Sequence, residues 1–233
     1  MARFFVEDLP AAGQVQLSPE EAKHAASVLR VQAGDSIELF DGKGGEAQGV
    51  VTTVSKKSVT LDILQRTDAL RELDFHFVAY VSLPKGDRQK LLVDGLTQLG
   101  VSKLVPLQAE RSVAQPTDNA LQRLKRTILE SSKQCRRNHL MEIAAPVRTT
   151  ELSSRHAGDD KLFAHPYGEC ESLTEISIER PTLAVAIGPE GGFTEEETLQ
   201  LRQNAWRQIS LGPRILRIEM AALAIAAILS NGR

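Results

Sequence analysis

Thr182-Leu-Ala-Val-Ala-Ile-Gly-Pro-Glu-Gly-Gly-Phe-Thr-Glu-Glu-Glu197 changes character twice within a short span. The apolar run Thr182 to Ile187 reads as a buried strand, and Thr194-Glu-Glu-Glu197 has the Thr-x-x-Glu spacing of a helix capping box. Between them stand Gly188, Pro189, Glu190, Gly191 and Gly192. The order is therefore strand, tight loop, helix. Glycines at such a junction permit positive φ and let a ligand approach the backbone, while a helix start offers unpaired N–H groups. Two readings follow from the segment alone, a small-molecule site or an ordinary strand-to-helix turn. It is neither a Walker A loop, since no Gly-Lys-Ser/Thr follows, nor Gly-x-Gly-x-x-Gly.

A second junction of the same kind, Leu211-Gly-Pro-Arg-Ile-Leu-Arg217, comes soon after. Two such loops can lie side by side at the carboxyl ends of a sheet, where open α/β folds bind ligands. Arg214 and Arg217 bring cationic forks to a site that also holds Glu190 and Glu219, a set suited to an anionic or carbonyl-rich ligand. Around these loops, strands at Phe75–Leu83, Val101–Leu107, Lys161–Ala164, Leu183–Ile187 and Gln208–Leu211 alternate with helices at Asp87–Leu99 and Asn119–Arg136. The alternation predicts a mainly parallel α/β sheet covered by helices. The last helix, from near Leu216, is apolar on every side from Ile218 to Leu229 except at Glu219, which predicts burial in the core or under a second copy of the chain.

Upstream the pattern differs. Ser18-Pro-Glu-Glu21 starts a helix ending near Leu29. Short strands follow at Ser36–Phe40, Gly49–Val54 and Ser58–Leu64 with glycine-rich turns, predicting a small barrel, and the polar segment Gln65–Glu72 marks the boundary. This gives domains over 1–70 and 73–233.

The 233 residues are 42% hydrophobic and 25% charged with a formal net charge of −2, an ordinary globular composition without the overall basic excess of a general nucleic-acid binder. Charge is local instead: a helix over 119–136 puts Leu121, Leu124, Ile128 and Cys135 on one face and Arg123, Arg126, Lys133 and Arg137 opposite, while Lys85, Arg88 and Lys90 follow a strand. Such stripes fit either a solvated face or a polyanion partner. Cys135 and Cys170 form no metal spacing, so neither a disulfide framework nor a metal site is predicted. The amino terminus is not a signal peptide and the longest apolar stretch is too short to cross a bilayer, which predicts a cytoplasmic protein with no membrane partner.

At Ile187-Gly-Pro-Glu-Gly-Gly-Phe-Thr194 and Leu211-Gly-Pro-Arg-Ile-Leu-Arg-x-Glu219 the chain resembles the RsmE-type 16S ribosomal RNA uridine-N3 methyltransferases of the SPOUT (trefoil-knotted) class. The likeness extends to Arg3-Phe-Phe-Val, His24, Val28-Leu-Arg30, Leu39-Phe-Asp-Gly42, Lys56-Lys-Ser-Val59, Leu99-Gly-Val101, Glu110-Arg-Ser112 and Gln134-Cys-x-Arg-Asn138. The resemblance implies an α/β fold with an N-terminal PUA-like β-barrel and a C-terminal knotted parallel-sheet methyltransferase domain, acting as a homodimer. It implies S-adenosyl-L-methionine, without a metal, at Leu83, Gly188, Glu190, Gly191, Leu211, Gly212, Ile215 and Leu216. The methyl group would go to N3 of one uridine of 16S ribosomal RNA in a structured small-subunit particle. Arg217 or Arg214 would stabilise charge on the uracil and Glu190 or Glu219 would handle the proton. Arg3, Arg30, Lys85, Arg88, Arg123, Arg126, Lys133 and Arg137 would face RNA. Ile218 and Met220 stand where the family has threonines, and Arg136 where glycine is frequent. The alternatives are a non-catalytic RNA-binding assembly factor on the same fold and a knotted methyltransferase acting on transfer RNA.

Overall fold

The computed structural model describes residues 1–55, 57–113 and 117–231, with Asn231 described by its backbone alone. Lys56, part of one family-like segment, lies outside the described residues. The chain divides into two compact units, one of Met1–Glu72 with Ser132–Leu140, the other of Leu73–Ser131 with Met141–Arg233.

The first unit is a five-stranded mixed sheet of β1 (Arg3–Phe5), β2 (Gly13–Gln16), β3 (Ser36–Phe40), β4 (Gly45–Val54) and β5 (Val59–Asp68) in the order β1-β3-β4-β5-β2. Only β1 and β3 are parallel. Strand alternation sends Ile37, Leu39, Ala47, Val51, Val59 and Leu61 inward, where they meet Phe4, Leu17, Ala22 and Ala25. Ser18 caps α1 (Pro19–His24), its hydroxyl accepting the Glu21 N–H at 3.3 Å. The helix runs on as one π-helical turn, Ala25–Leu29, and stops at Arg30, which is left-handed with φ 54°. β5 reaches Asp68, pairing Gln65–Asp68 with Gly45–Gln48, so the polar stretch predicted as a boundary is in part a ladder.

The segment 132–140 brings charge into this unit. Arg3, predicted to face RNA, is only 9% exposed: its Nε lies 3.0 Å from Glu38, its guanidinium stacks 4.4 Å from the Phe40 ring centroid, and it donates to the Ser132 and Arg137 carbonyls. Burial pulls the Arg3 guanidinium below its usual range, against the pull of Glu38 and Glu46. Arg137 is 4% exposed, donating from Nε and Nη2 to Glu72 at 2.9 and 2.6 Å, and Lys133 pairs with Glu21 at 2.5 Å. These three cations are internal counter-charges, which corrects the expectation that they meet RNA. Arg136 has φ 65°, a left-handed conformation that glycine takes without strain, which accounts for a glycine preference there.

The second unit is an eight-stranded sheet whose pairs are all parallel. Its strands are β6 (His76–Val81), β7 (Lys103–Gln108), β8 (Glu142–Ile143), β9 (Val147–Arg148), β10 (Asp160–Ala164), β11 (Glu171–Ser172), β12 (Thr182–Ile187) and β13 (Arg207–Ser210). The order is β11-β13-β10-β12-β6-β7-β8, with β9 also paired to β7. The central strands are buried on both faces, as parallel strands require, and read as continuous apolar runs. Helices α2 (Arg88–Gln98), α3 (Asp118–Cys135), α4 (Glu195–Gln203) and α5 (Ile218–Asn231) accompany them. On α3, Leu124 and Ile128 are buried while Arg123 and Arg126 are exposed. α5 is not buried on every side: Met220 is 49% and Ile228 39% exposed. Among the described residues no helix is long and apolar enough to cross a membrane.

Candidate functional site

Three loops leave the carboxyl ends of neighbouring strands β13, β10 and β12. Because β10 lies between the two strands that carry glycine loops, those loops are not adjacent, as the sequence alone suggested; they face each other across His165-Pro166-Tyr167. Together the three loops enclose a cavity of about 420 Å³. That size falls within the roughly 300–1,000 Å³ of small-molecule sites. Ile187, Phe193, Ile209, Leu211, Ile215, Leu216 and Ile218 supply apolar walls, and Arg111, His165, Glu190, Glu195 and Arg214 supply polar groups.

The first loop is held from several directions. The Gly192 N–H donates to the Pro189 carbonyl at 2.8 Å, closing the turn. A Cβ on Gly188 would stand 3.2 Å from the Phe193 ring, so a side chain there would press on a buried aromatic. The capping box is complete: the Glu197 N–H donates to Thr194 Oγ1 at 3.2 Å and the Thr194 N–H to Glu197 Oε2 at 2.9 Å. The other Glu197 oxygen accepts the Glu110 N–H at 2.9 Å, tying the loop after β7 to the start of α4. Arg111 then donates to the Gly191 carbonyl at 2.8 Å. The helix start is thus less open than predicted, since the Thr194 and Glu197 N–H groups are used and Glu195, Glu196 and Glu197 fill the first turn. Acids there favour the helix dipole but repel an anionic ligand.

The second loop is open. Gly212 to Arg217 are all exposed, and the contact that shapes the turn is the Gly212 N–H donating to Ser210 Oγ at 3.2 Å.

Of the residues predicted to bind cofactor, Gly188, Glu190, Gly191, Leu211, Gly212, Ile215 and Leu216 line the cavity; Leu83 is buried and does not. Of the four predicted to act in catalysis, Glu190 and Arg214 line it, while Arg217 is exposed outside the lining and Glu219 is 3% exposed at the start of α5. Arg88, predicted to face RNA, is 3.3 Å from Glu190 and 3.7 Å from Glu219. Lys85, Arg30, Arg123 and Arg126 are exposed. Arg111, His165 and Tyr167 were missed as site residues; Glu110-Arg-Ser112 stood out only as a family-like segment, and His165-Pro-Tyr167 carries no glycine pattern. Burial, then the Arg202 charge, hold the His165 imidazole below its usual pKa, so it is neutral at pH 7. Its buried Nδ1 has no hydrogen-bond partner among the described residues.

The sequence matches the family described as an RNA methyltransferase domain over residues 71–230, and an RNA methyltransferase PUA domain over residues 17–64. The chain belongs to the RNA methyltransferase family. Among curated relatives, ribosomal RNA small subunit methyltransferase E of Bacillus subtilis (strain 168) is 31% identical over 98% of this chain and 96% of its own. Solved structures similar in fold include two that carry the cofactor. Ribosomal RNA small subunit methyltransferase E of Neisseria gonorrhoeae, bound to S-adenosyl methionine, superposes with a TM-score of 0.91 at 27% identity, covering 98% of this chain and 96% of that one. A Legionella pneumophila protein solved in complex with its bound cofactor SAM gives 0.90 at 28% identity, with the same coverage. The fold of this RNA methyltransferase is therefore the SPOUT-type parallel α/β domain with a PUA-like mixed sheet before it.

Proposed function

We propose that this RNA methyltransferase transfers the methyl group of S-adenosylmethionine to N3 of a uridine in small-subunit ribosomal RNA. The observation that carries the reading is the cavity shared by the two glycine loops, in a family whose similar structures hold that cofactor. The residues fit the group. Apolar walls suit an adenine ring, backbone of the Gly188–Gly192 loop can meet its edge, and Glu190 with Glu195 suits a sulfonium cation. A phosphate-bearing cofactor would meet these carboxylates and the occupied cap donors of α4, so the site disfavours nucleotides of that kind.

S-adenosylmethionine supplies an electrophilic methyl group when bound. The chain must do the rest. Uridine N3 carries a weakly acidic imide proton that is engaged when the base is paired, so the target has to be presented unpaired or flipped out. Closure of the exposed Gly212–Arg217 loop over the bound ligands is proposed to exclude water from the reacting atoms. Arg214 at the open loop, or Arg217 beside it, supplies the charge that stabilises the uracil oxygens as the proton leaves, and Glu190 or Glu219 orients or accepts that proton. The exposed Arg30 of the 1–70 domain and the exposed Lys85, Arg123 and Arg126 of the 73–233 domain are proposed to hold RNA phosphates, with the chemistry confined to the second domain. A homodimer, a knotted path through the C-terminal domain, a small-subunit particle as substrate and a cytoplasmic location complete this reading.

The test is mass spectrometry of 16S ribosomal RNA after incubation with the protein and labelled S-adenosylmethionine, using RNA from cells lacking it. One labelled 3-methyluridine is the expected result. Label on transfer RNA alone, or tight cofactor binding without transfer, would replace the reading with a transfer RNA enzyme or a non-catalytic assembly factor.

A further inference from the structure

Three segments meet at Arg88. β6 pairs with β12, and the Ser82 N–H donates to the Ile187 carbonyl at 2.9 Å, so the loops after these strands run side by side. That register sets Arg88, the first residue of α2, next to Glu190 in the first glycine loop. The third segment is α5, which packs on α2 with no room at Gly95, where a Cβ would stand 2.4 Å from Leu223 Cδ2. Glu219 lies one helical turn before Leu223, and Arg88 two turns before Gly95, so the close approach at Gly95 brings Glu219 over Arg88 on the same helix faces. The result is a row: Glu219, 4% exposed at its side chain; Arg88, 31%; Glu190, 47% and lining the cavity.

The two carboxylates are not equivalent in this row. Glu219 Oε2 is buried, makes no hydrogen bond among the described residues and has Arg88 Nη1 at 3.7 Å as its ion-pair partner. A buried carboxylate in that state is costly unless a cation stays beside it. Glu219 does not line the cavity, so it cannot reach a ligand there; Glu190 does and can.

We infer that Arg88 is a positioning residue, anchored from below by buried Glu219, that holds the Glu190 carboxylate over the cavity, and that Glu190 is the carboxylate that meets the substrate. The arrangement follows the logic by which a buried acid orients a second group that in turn orients the reacting one. Arg suits the middle position because its planar fork holds donors at fixed, separated positions toward the two carboxylates, whereas an ammonium is a compact point charge on a flexible stem. The role rests on the methyltransferase reading above and selects between the two carboxylates it left open.

The test is a double-mutant cycle on steady-state methyl transfer to small-subunit ribosomal RNA, with Arg88→Ala, Glu190→Gln, Glu219→Gln and the Arg88→Ala/Glu190→Gln pair. Each single change lowers kcat about tenfold or more with KM for RNA nearly unchanged; KM for cofactor holds in Arg88→Ala and Glu219→Gln, whose residues do not line the cavity, and rises only in variants that carry Glu190→Gln. The pair is no worse than its more severe member, and Glu219→Gln matches Arg88→Ala although its side chain is buried. Arg88→Lys recovers only part of the loss; should Arg88→Ala fail to fold, Arg88→Lys with Glu190→Gln supplies the same cycle. Losses that multiply, a folded Glu219→Gln variant with full activity, or an Arg88→Ala defect confined to a salt-sensitive RNA KM would overturn the role. An inactive wild type would instead defeat the methyltransferase reading itself.

Discussion

The two glycine loops differ in how the protein holds them. Gly188–Phe193 is closed by its own turn, a complete capping box, a buried carboxylate from α4 and an arginine from the loop after β7. Gly212–Arg217 lies exposed. One wall of the cavity is thus preformed, and the other is free to adapt to what enters. Catalysis gains most from groups held before the ligand arrives, while a loop that closes over a bound ligand completes the site. The contrast assigns binding geometry to the first loop and closure with charge stabilisation to the second.

The largest expected effect separates the loops. Arg214→Ala on the open loop should cut turnover by roughly 10²–10³-fold, the usual loss when a charge-stabilising donor is removed, and leave the melting temperature unchanged. A turnover within a few-fold of wild type would break the assignment. Glu197→Ala on the pinned loop should do the reverse. It removes the side-chain half of the capping box, leaving the Thr194 Oγ1 cap in place, and leaves the Thr194 and Glu110 N–H groups without their acceptor, which costs about 2 kcal/mol. For a chain of this size the melting temperature should then fall by about 4–8 °C. An unchanged melt would show that the loop after β7 is held by other means.

Smaller effects sharpen the same contrast. Arg111→Ala removes a clasp on Gly191 that the open loop lacks, and should weaken cofactor binding about three- to tenfold, the worth of one hydrogen bond, with little change in kcat. Titration calorimetry reads this directly. His165 gives the mildest test. Its folded pKa lies below the unfolded value of about 6.5, so the unfolded chain takes up a proton first as pH falls. Stability should therefore be full above about pH 6.5 and decline below it. Since burial lowers His76 in the same direction, His165→Gln should flatten the decline without abolishing it. A slope identical to wild type between about pH 5 and 7 would remove His165 from the account.

Much of this was legible in residues. The capping box at Thr194–Glu197, the apolar strand before it and the amphipathic α3 each follow a local period or spacing, and local rules set them. What escaped depends on partners distant in sequence. Gln65–Asp68 shows no alternation to read because its residues lie at the solvent-facing end of β5, yet it pairs with Gly45–Gln48. Arg3, Lys133 and Arg137 carry the same charge as Arg123 and Arg126; only the positions of Glu38, Glu21 and Glu72 make them internal. The placing of β10 between β12 and β13 brought His165 to the cavity, and no pattern in the chain encodes a strand order. Glu219 stood out as the lone charge on an apolar helix, but its partner Arg88 emerged only with the packing of α5 on α2.

The central claim is that the space between the two loops holds the methyl donor. Calorimetric titration of S-adenosylmethionine into wild type and Gly188→Val tests it, because both Gly188 and Phe193 line the cavity and a branched side chain at 188 must push on the Phe193 ring. The account predicts saturable 1:1 binding to wild type and at least about a tenfold loss, roughly 1.4 kcal/mol, in a variant that still folds. Equal affinity in the two proteins, or no heat from either, would contradict it.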